Sequence, residues 1–133
     1  MAPMVTTVAE AAEFTALCRD AGLSTVGVMI EVPAAAVRAA EILQAVDFLS
    51  VGTNDLSQYT FAADRRSGEL ADLLDPWQPA LLSLIALCAA AGAALGRPVG
   101  VCGEAAADPA LATVLVGLGV SSLSMTPRAL PDV

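Results

Sequence analysis

An α/β domain built on parallel strands is the fold this sequence predicts, and three observations lead there. Short β-branched or apolar runs alternate with longer Ala- and Leu-rich stretches, the pattern of repeated strand-helix units on a parallel sheet. The composition is 56% hydrophobic but only 4% aromatic, so the core must be made of Ala, Leu and Val, which suits helices packed closely on a buried sheet. The length of 133 residues suffices for one domain, whereas a complete (β/α)₈ barrel takes about 250. If the units belong to such a barrel, this chain is half of one. Residues 1–133 read as a single partial domain, with no low-complexity segment or linker to divide them.

Four units can be counted, preceded by the tail of an earlier strand at Met1–Val5. Val8–Asp20 reads as a helix with apolar positions Val8, Ala11, Ala12 and Leu17; Thr7 is its cap and Glu10, three residues on, completes a capping box. The first strand is Thr25–Ile30, after which Pro33 opens a helix over Ala34–Gln44. The second is Val46–Val51, followed by a short helix over Leu56–Ala62. A third strand, Pro98–Val101, follows a long helix from Pro79 to Leu95 that Gly96 stops. The fourth, Ser122–Met125, follows a helix from Pro109 to about Val116. Arg65–Trp77 is the most loop-like stretch and is expected to be mobile.

Charge and composition exclude several functions. The net charge of −8 and the six basic residues, all Arg, leave nothing to neutralise a run of phosphates, so nucleic acid is not an expected partner. The absence of His removes the commonest general base and metal ligand. Chemistry must therefore come from carboxylates, Arg, hydroxyls or Cys. Cys18, Cys88 and Cys102 lie at wide spacings without a CxxC, which suggests neither a disulfide framework nor a zinc site. The apolar run Ala80–Leu95 is shorter than the ~20 residues a bilayer requires and reads as a buried helix. The amino terminus carries no basic segment followed by an apolar one, so the expected compartment is the cytoplasm.

Each strand ends in residues that do not belong in a core: Glu31, the Asn54-Asp55 pair, Cys102 with Glu104, and Ser124. In parallel α/β folds ligands bind at the carboxyl ends of the strands, so these groups are expected on one face. Glu31 and Asp55 stand one unit apart and offer two hard oxygen ligands of the kind Mg²⁺ accepts alongside water and substrate oxygens. Read bare, Glu31 could instead cap the following helix or pair with an Arg. Cys102 could be an ordinary buried thiol, as Cys18 and Cys88 are expected to be. Glu104 could support Cys102 or pair with a surface Arg, and Asp64 and Arg66 could be solvated loop charges.

The segment Gly52-Thr-Asn-Asp-Leu-Ser-Gln-Tyr-Thr60, followed by Asp64-Arg65, closely resembles the signature of enzyme I of the sugar phosphotransferase system. Val28-Met-Ile-Glu-Val-Pro33 and Gly100-Val-Cys-Gly-Glu104 are similar to that family's metal-ligand and catalytic-cysteine strands, in the same order. The likeness runs from Pro3-Met4 to Met125 and beyond. Pyruvate phosphate dikinase and phosphoenolpyruvate synthase share the strand-end plan. A different barrel enzyme working on an enolate, an aldolase or lyase, would fit the carboxylates but not the Gly52–Thr60 segment.

The resemblance implies the second half of a (β/α)₈ TIM-type barrel and a phosphotransferase that uses phosphoenolpyruvate. It implies Glu31 and Asp55 as Mg²⁺ ligands, Asn54, the Asp55 backbone and Arg65 as contacts to the substrate, and Cys102 as proton donor to enolpyruvate, giving pyruvate. In that family further arginines come from the first barrel half, and a separate domain carries the histidine that accepts the phosphoryl group. Lacking both, the isolated chain is expected to bind weakly and to transfer nothing. A half barrel also leaves two sheet edges and its interior open, so the expected partners are the missing half with the phosphohistidine domain, or a second copy in a homodimer. The competing expectation is a non-catalytic scaffold that keeps a degenerate site.

Overall fold

The computed structural model describes all 133 residues and contains one four-stranded sheet with its strands parallel and in sequence order. The strands are β1 (Gly27–Ile30), β2 (Phe48–Gly52), β3 (Val99–Cys102) and β4 (Ser122–Ser124). The expected earlier strand survives as a single parallel bridge, Ala2 to Val28, in which Ala2 donates to Gly27 O at 3.1 Å and accepts from Met29 N at 2.7 Å. Consecutive parallel strands joined by helices form an arc of a (β/α)₈ barrel.

The period-two alternation of the strands decides which face is covered. Val28, Ile30, Leu49, Val51, Val99 and Val101 are all buried and share one core with Ile42, Leu43, Leu81, Ile85 and Leu111 of the helices. On the opposite face Met29, Phe48, Ser50 and Cys102 are only half-buried, and Ser122 and Ser124 are exposed. This bare face is the one a barrel turns inward.

The helices are α1 (Val8–Asp20), α2 (Pro33–Val37), α3 (Ala39–Ala45), α4 (Thr53–Phe61), α5 (Pro79–Leu95) and α6 (Pro109–Gly117). Both halves of the capping box of α1 are present: Glu10 N donates to Thr7 Oγ1, and the Glu10 carboxylate accepts from Thr7 N at 2.8 Å. Of the apolar positions expected on α1 only Ala11 is fully buried, and Leu17 is 63% exposed. The helix expected over Ala34–Gln44 is broken at Arg38, whose φ of −105° and ψ of 21° end α2 and begin α3. The break lets Ala35 and Ala36 on one piece, and Ile42 and Leu43 on the other, each reach full burial. In α5 the buried residues Leu81, Ile85, Cys88, Ala89 and Gly92 form one helical stripe. No single helix is long and apolar enough to cross a membrane.

The first two strands start later than their apolar runs suggest. β1 and β2 begin at Gly27 and Phe48, and just before them Val26 and Asp47 are bonded to each other. Val26 N donates to the Asp47 carboxylate at 2.7 Å, and Asp47 N donates to Val26 O at 2.7 Å. Arg19 and Arg97 close on the same carboxylate, and Arg97 also donates to Val46 O at 2.7 Å. This cluster ties α1, β2 and the start of β3 together at the amino-terminal end of the sheet. The Arg65–Trp77 stretch, expected to be loop-like, contains a 3-10 helix at Gly68–Leu74.

Candidate functional site

The carboxyl ends of the strands gather the residues singled out from the sequence. Glu31 follows β1 directly and is buried, 6% exposed. It caps no helix, since α2 has Val32 at its cap, and no Arg pairs with it. Its Oε2 instead accepts a 2.8 Å bond from Met4 N, across the bridge from the earlier strand. The carboxylate lies against Gly52, where a Cβ would stand 2.7 Å from both Oε1 and Cγ of Glu31. Any larger residue at the end of β2 would push the carboxylate away.

Asn54 and Asp55 stand in the first turn of α4 and not in a loop, because that helix starts at Thr53, three residues earlier than its apolar pattern suggests. Gly52 at its cap supplies no side chain to the first-turn N–H groups, which leaves them open to an anion. The Thr53 hydroxyl donates to Cys102 O at 3.0 Å and pins the helix start to the end of β3. The guanidinium of Arg65, brought back over α4 after Ala62, sits 3.7 Å from Asp55 Oδ1. This pair is half-exposed, so it contributes at most about 1 kcal/mol.

Cys102 ends β3 with its thiol half-buried. Its Sγ lies 3.5 Å from Val51 O and accepts from Ser50 Oγ at 3.7 Å. The chain then turns at Gly103, whose φ of +97° suits glycine alone. A Cβ there would also meet Thr53 Oγ1 at 2.7 Å and Asn54 Oδ1 at 3.0 Å. Glu104 is exposed and pairs with no Arg; its N–H donates to Asn54 Oδ1 at 3.4 Å. Of the other cysteines, Cys88 is buried and its thiol is pushed up to about 12 by desolvation, which makes it inert near neutral pH; Cys18 is half-buried on α1.

A cavity of about 330 Å³ lies between α4, the 3-10 helix and α5, lined by Thr53, Asn54, Ser57, Arg65, Leu74 and Leu81. A shallower hollow of about 500 Å³ lies between Asn54, Glu104 and Ser124. Both flank the start of α4. Glu31 and Cys102 line neither. Reading the sequence alone missed Gly52, Thr53 and Ser50. Ser50 was signalled by alternation: a hydroxyl residue on the same strand face as Phe48 and Gly52, opposite Leu49 and Val51.

All 133 residues match the family described as the PEP-binding domain of PEP-utilising enzymes. The chain belongs to that family. It is 61% identical, over its whole length, to the phosphoenolpyruvate-protein phosphotransferase of Streptomyces coelicolor, of which it spans 24%. It is 45% identical to the multiphosphoryl transfer protein of Xanthomonas campestris pv. campestris, again over its whole length and 17% of that protein. The phosphoenolpyruvate-protein phosphotransferase of Bacillus subtilis is 41% identical over 95% of this chain. The chain thus spans about a quarter or less of the length of these curated relatives. A citrate lyase from Burkholderia xenovorans superposes with a TM-score of 0.71 over 98% of this chain and 45% of its own, at 20% identity. At that identity the likeness is one of fold, and it supports the barrel-arc reading.

Proposed function

We propose that this chain is the phosphoenolpyruvate- and Mg²⁺-binding part of a phosphoenolpyruvate-protein phosphotransferase, which passes the phosphoryl group to a histidine on another domain and releases pyruvate. The observation that carries the reading is Glu31: a carboxylate 6% exposed, held by one backbone N–H and matched by no cation on the chain. A buried carboxylate with so few partners is well placed to receive a cation. Glu31 and Asp55 are hard oxygen donors and fit a divalent ion that keeps water and substrate oxygens as its other ligands. No group of three or more His, Cys, Asp or Glu is placed to hold a metal ion, so water and substrate oxygens would have to complete the set.

In this reading Glu31 and Asp55 would hold the ion, which when bound supplies Lewis-acid stabilisation of charge on the enolate oxygen. The open N–H groups at the start of α4 and the Asn54 amide receive the anionic substrate. Arg65 leaves Asp55 to take phosphoryl or carboxylate oxygens in its planar fork. Cys102 gives the thiol proton to the methylene carbon of enolpyruvate: the S–H bond breaks, a C–H bond forms, and pyruvate leaves. The bare sheet face and the β4 edge call for a facing wall, supplied by the other barrel half or by a second copy. With one arginine to bind a multiply charged substrate and no histidine to accept the phosphoryl group, the isolated chain binds weakly and does not turn over.

The test is calorimetric titration of the chain with phosphoenolpyruvate, with and without Mg²⁺, beside Asp55→Ala. Heat that requires the metal and vanishes in the variant supports a working half-site. A folded chain that gives no heat under either condition refutes it and leaves a scaffold that has kept the residues without the function.

A further inference from the structure

We propose that Ser50 is a positioning residue for the Cys102 thiol: its hydroxyl holds the sulfur in place and stabilises the thiolate left when the thiol gives up its proton. The proposal deepens the reading of Cys102 as proton donor and rests on it. Ser50 lies within β2 at a position where a barrel strand would ordinarily bury an apolar side chain. Its hydroxyl makes one hydrogen bond, the donation to Cys102 Sγ at 3.7 Å.

The sheet register explains how the two meet. Ser50 is paired with Gly100, and Gly52 with Cys102. Ser50 and Cys102 are therefore diagonal neighbours on the bare face, within reach of each other across one rung. Gly100, beside Ser50, leaves that rung without a side chain. A Cβ there would stand 2.5 Å from Ser122 Oγ, so the space between β2 and β4 is taken up by hydroxyls and no bulk pushes Ser50 away from the sulfur. With its hydrogen aimed at Val51 O, 3.5 Å away, the thiol leaves a lone pair for Ser50.

The role follows from the change of charge. Before transfer the Ser50 bond is a neutral contact to sulfur, a weak acceptor. When the proton passes to the enolpyruvate carbon, the sulfur keeps the electron pair of the S–H bond. The same Ser50 O–H then donates to an anion, and such bonds are about twice as strong as neutral ones. Water later returns the proton to the sulfur. A donor that strengthens only as charge develops lowers the barrel's barrier to proton transfer and not its affinity for the ground state.

The test uses thiol chemistry on the isolated chain and needs no substrate. Iodoacetamide is added at a fixed, mildly alkaline pH, and alkylation of each cysteine is followed by mass spectrometry, with half-buried Cys18 as the reference within the same molecule. Three variants are compared: Ser50→Ala, and the near-isosteric pair Ser50→Thr and Ser50→Val, which differ by the hydroxyl. Losing a bond to the thiolate costs about tenfold in thiolate, partly offset by the higher intrinsic nucleophilicity of a more basic sulfur, so Cys102 should slow about fourfold against Cys18. The expected result is slowing in Ser50→Ala and Ser50→Val and a near-native rate in Ser50→Thr. An unchanged rate in Ser50→Val, or equal slowing in Ser50→Thr and Ser50→Val, overturns the proposal. The donor role is examined separately, by uptake of deuterium into the methyl group of pyruvate in heavy water with Mg²⁺. Exchange that persists in Cys102→Ser retires the donor role while leaving the alkylation result intact, so the two failures are told apart.

Discussion

Nη1 of Arg65 stands 3.7 Å from Oδ1 of Asp55, so the proposed substrate cation and the proposed metal ligand occupy each other. Because the pair is half-exposed and worth at most about 1 kcal/mol, a divalent ion and a substrate anion can separate it. Asp55→Asn is expected to lower the unfolding free energy obtained from urea titration by less than about 1 kcal/mol while abolishing Mg²⁺-dependent heat with phosphoenolpyruvate. Loss of fold in the variant would show instead that the pair is structural.

Gly52→Ala tests the seat of Glu31. The φ of Gly52, −89°, is one that alanine adopts freely, so the cost is steric: the new Cβ would stand 2.7 Å from Oε1 and Cγ of Glu31. Denaturant unfolding should show a loss of about 1–3 kcal/mol, and calorimetry a loss of metal-dependent binding. Binding retained at wild-type strength would remove Glu31 from the metal site.

At Gly103 both costs combine, a φ of +97° and a Cβ 2.7 Å from Thr53 Oγ1. Gly103→Ala is expected to cost about 1–3 kcal/mol by thermal or chemical melting. It should also loosen the Thr53 to Cys102 bond, which would appear as faster amide exchange in the first turn of α4. A variant as stable as the parent would mean that the turn can relax without cost.

Asp47 sets the acid limb of stability. Its carboxyl is held below the ordinary 3.8, chiefly by the backbone N–H of Val26 and then by Arg19 and Arg97, against the opposing effect of desolvation. The folded state therefore binds fewer protons than the unfolded chain near that pH, so stability rises with pH there. The contribution is complete well above 3.8 and is lost as pH falls through the lowered folded value. Asp47→Asn should be less stable than the parent near neutrality, with the difference shrinking as pH is taken below about 4. Parallel curves of stability against pH for the two proteins would contradict this.

The legibility of this chain followed the range of the forces involved. Local rules placed the capping box of Thr7 and Glu10, the proline start and glycine stop of α5, and the four parallel strands, because each depends on a few neighbouring residues. The strand-end rule then brought Glu31, Asp55 and Cys102 to one face, and the resemblance of Gly52–Thr60 supplied their expected roles. Residues just outside a repeating pattern were read less well. Thr53–Asp55 were expected in a loop, yet they form the first turn of α4, since Thr53 is fastened to the Cys102 carbonyl 49 residues further along the chain.

The sequence by itself determined the fold class, the family and the set of candidate side chains, because alternation, turn residues and motif are written in consecutive positions. Only the tertiary structure decided how those side chains are held. Sheet register set Ser50 beneath Cys102, the bridge from Ala2 brought Met4 N to Glu31, and Gly52 made room for that carboxylate. Each of these is a contact between residues distant in the chain. Its geometry depends on how the strands align, and no local preference encodes that alignment.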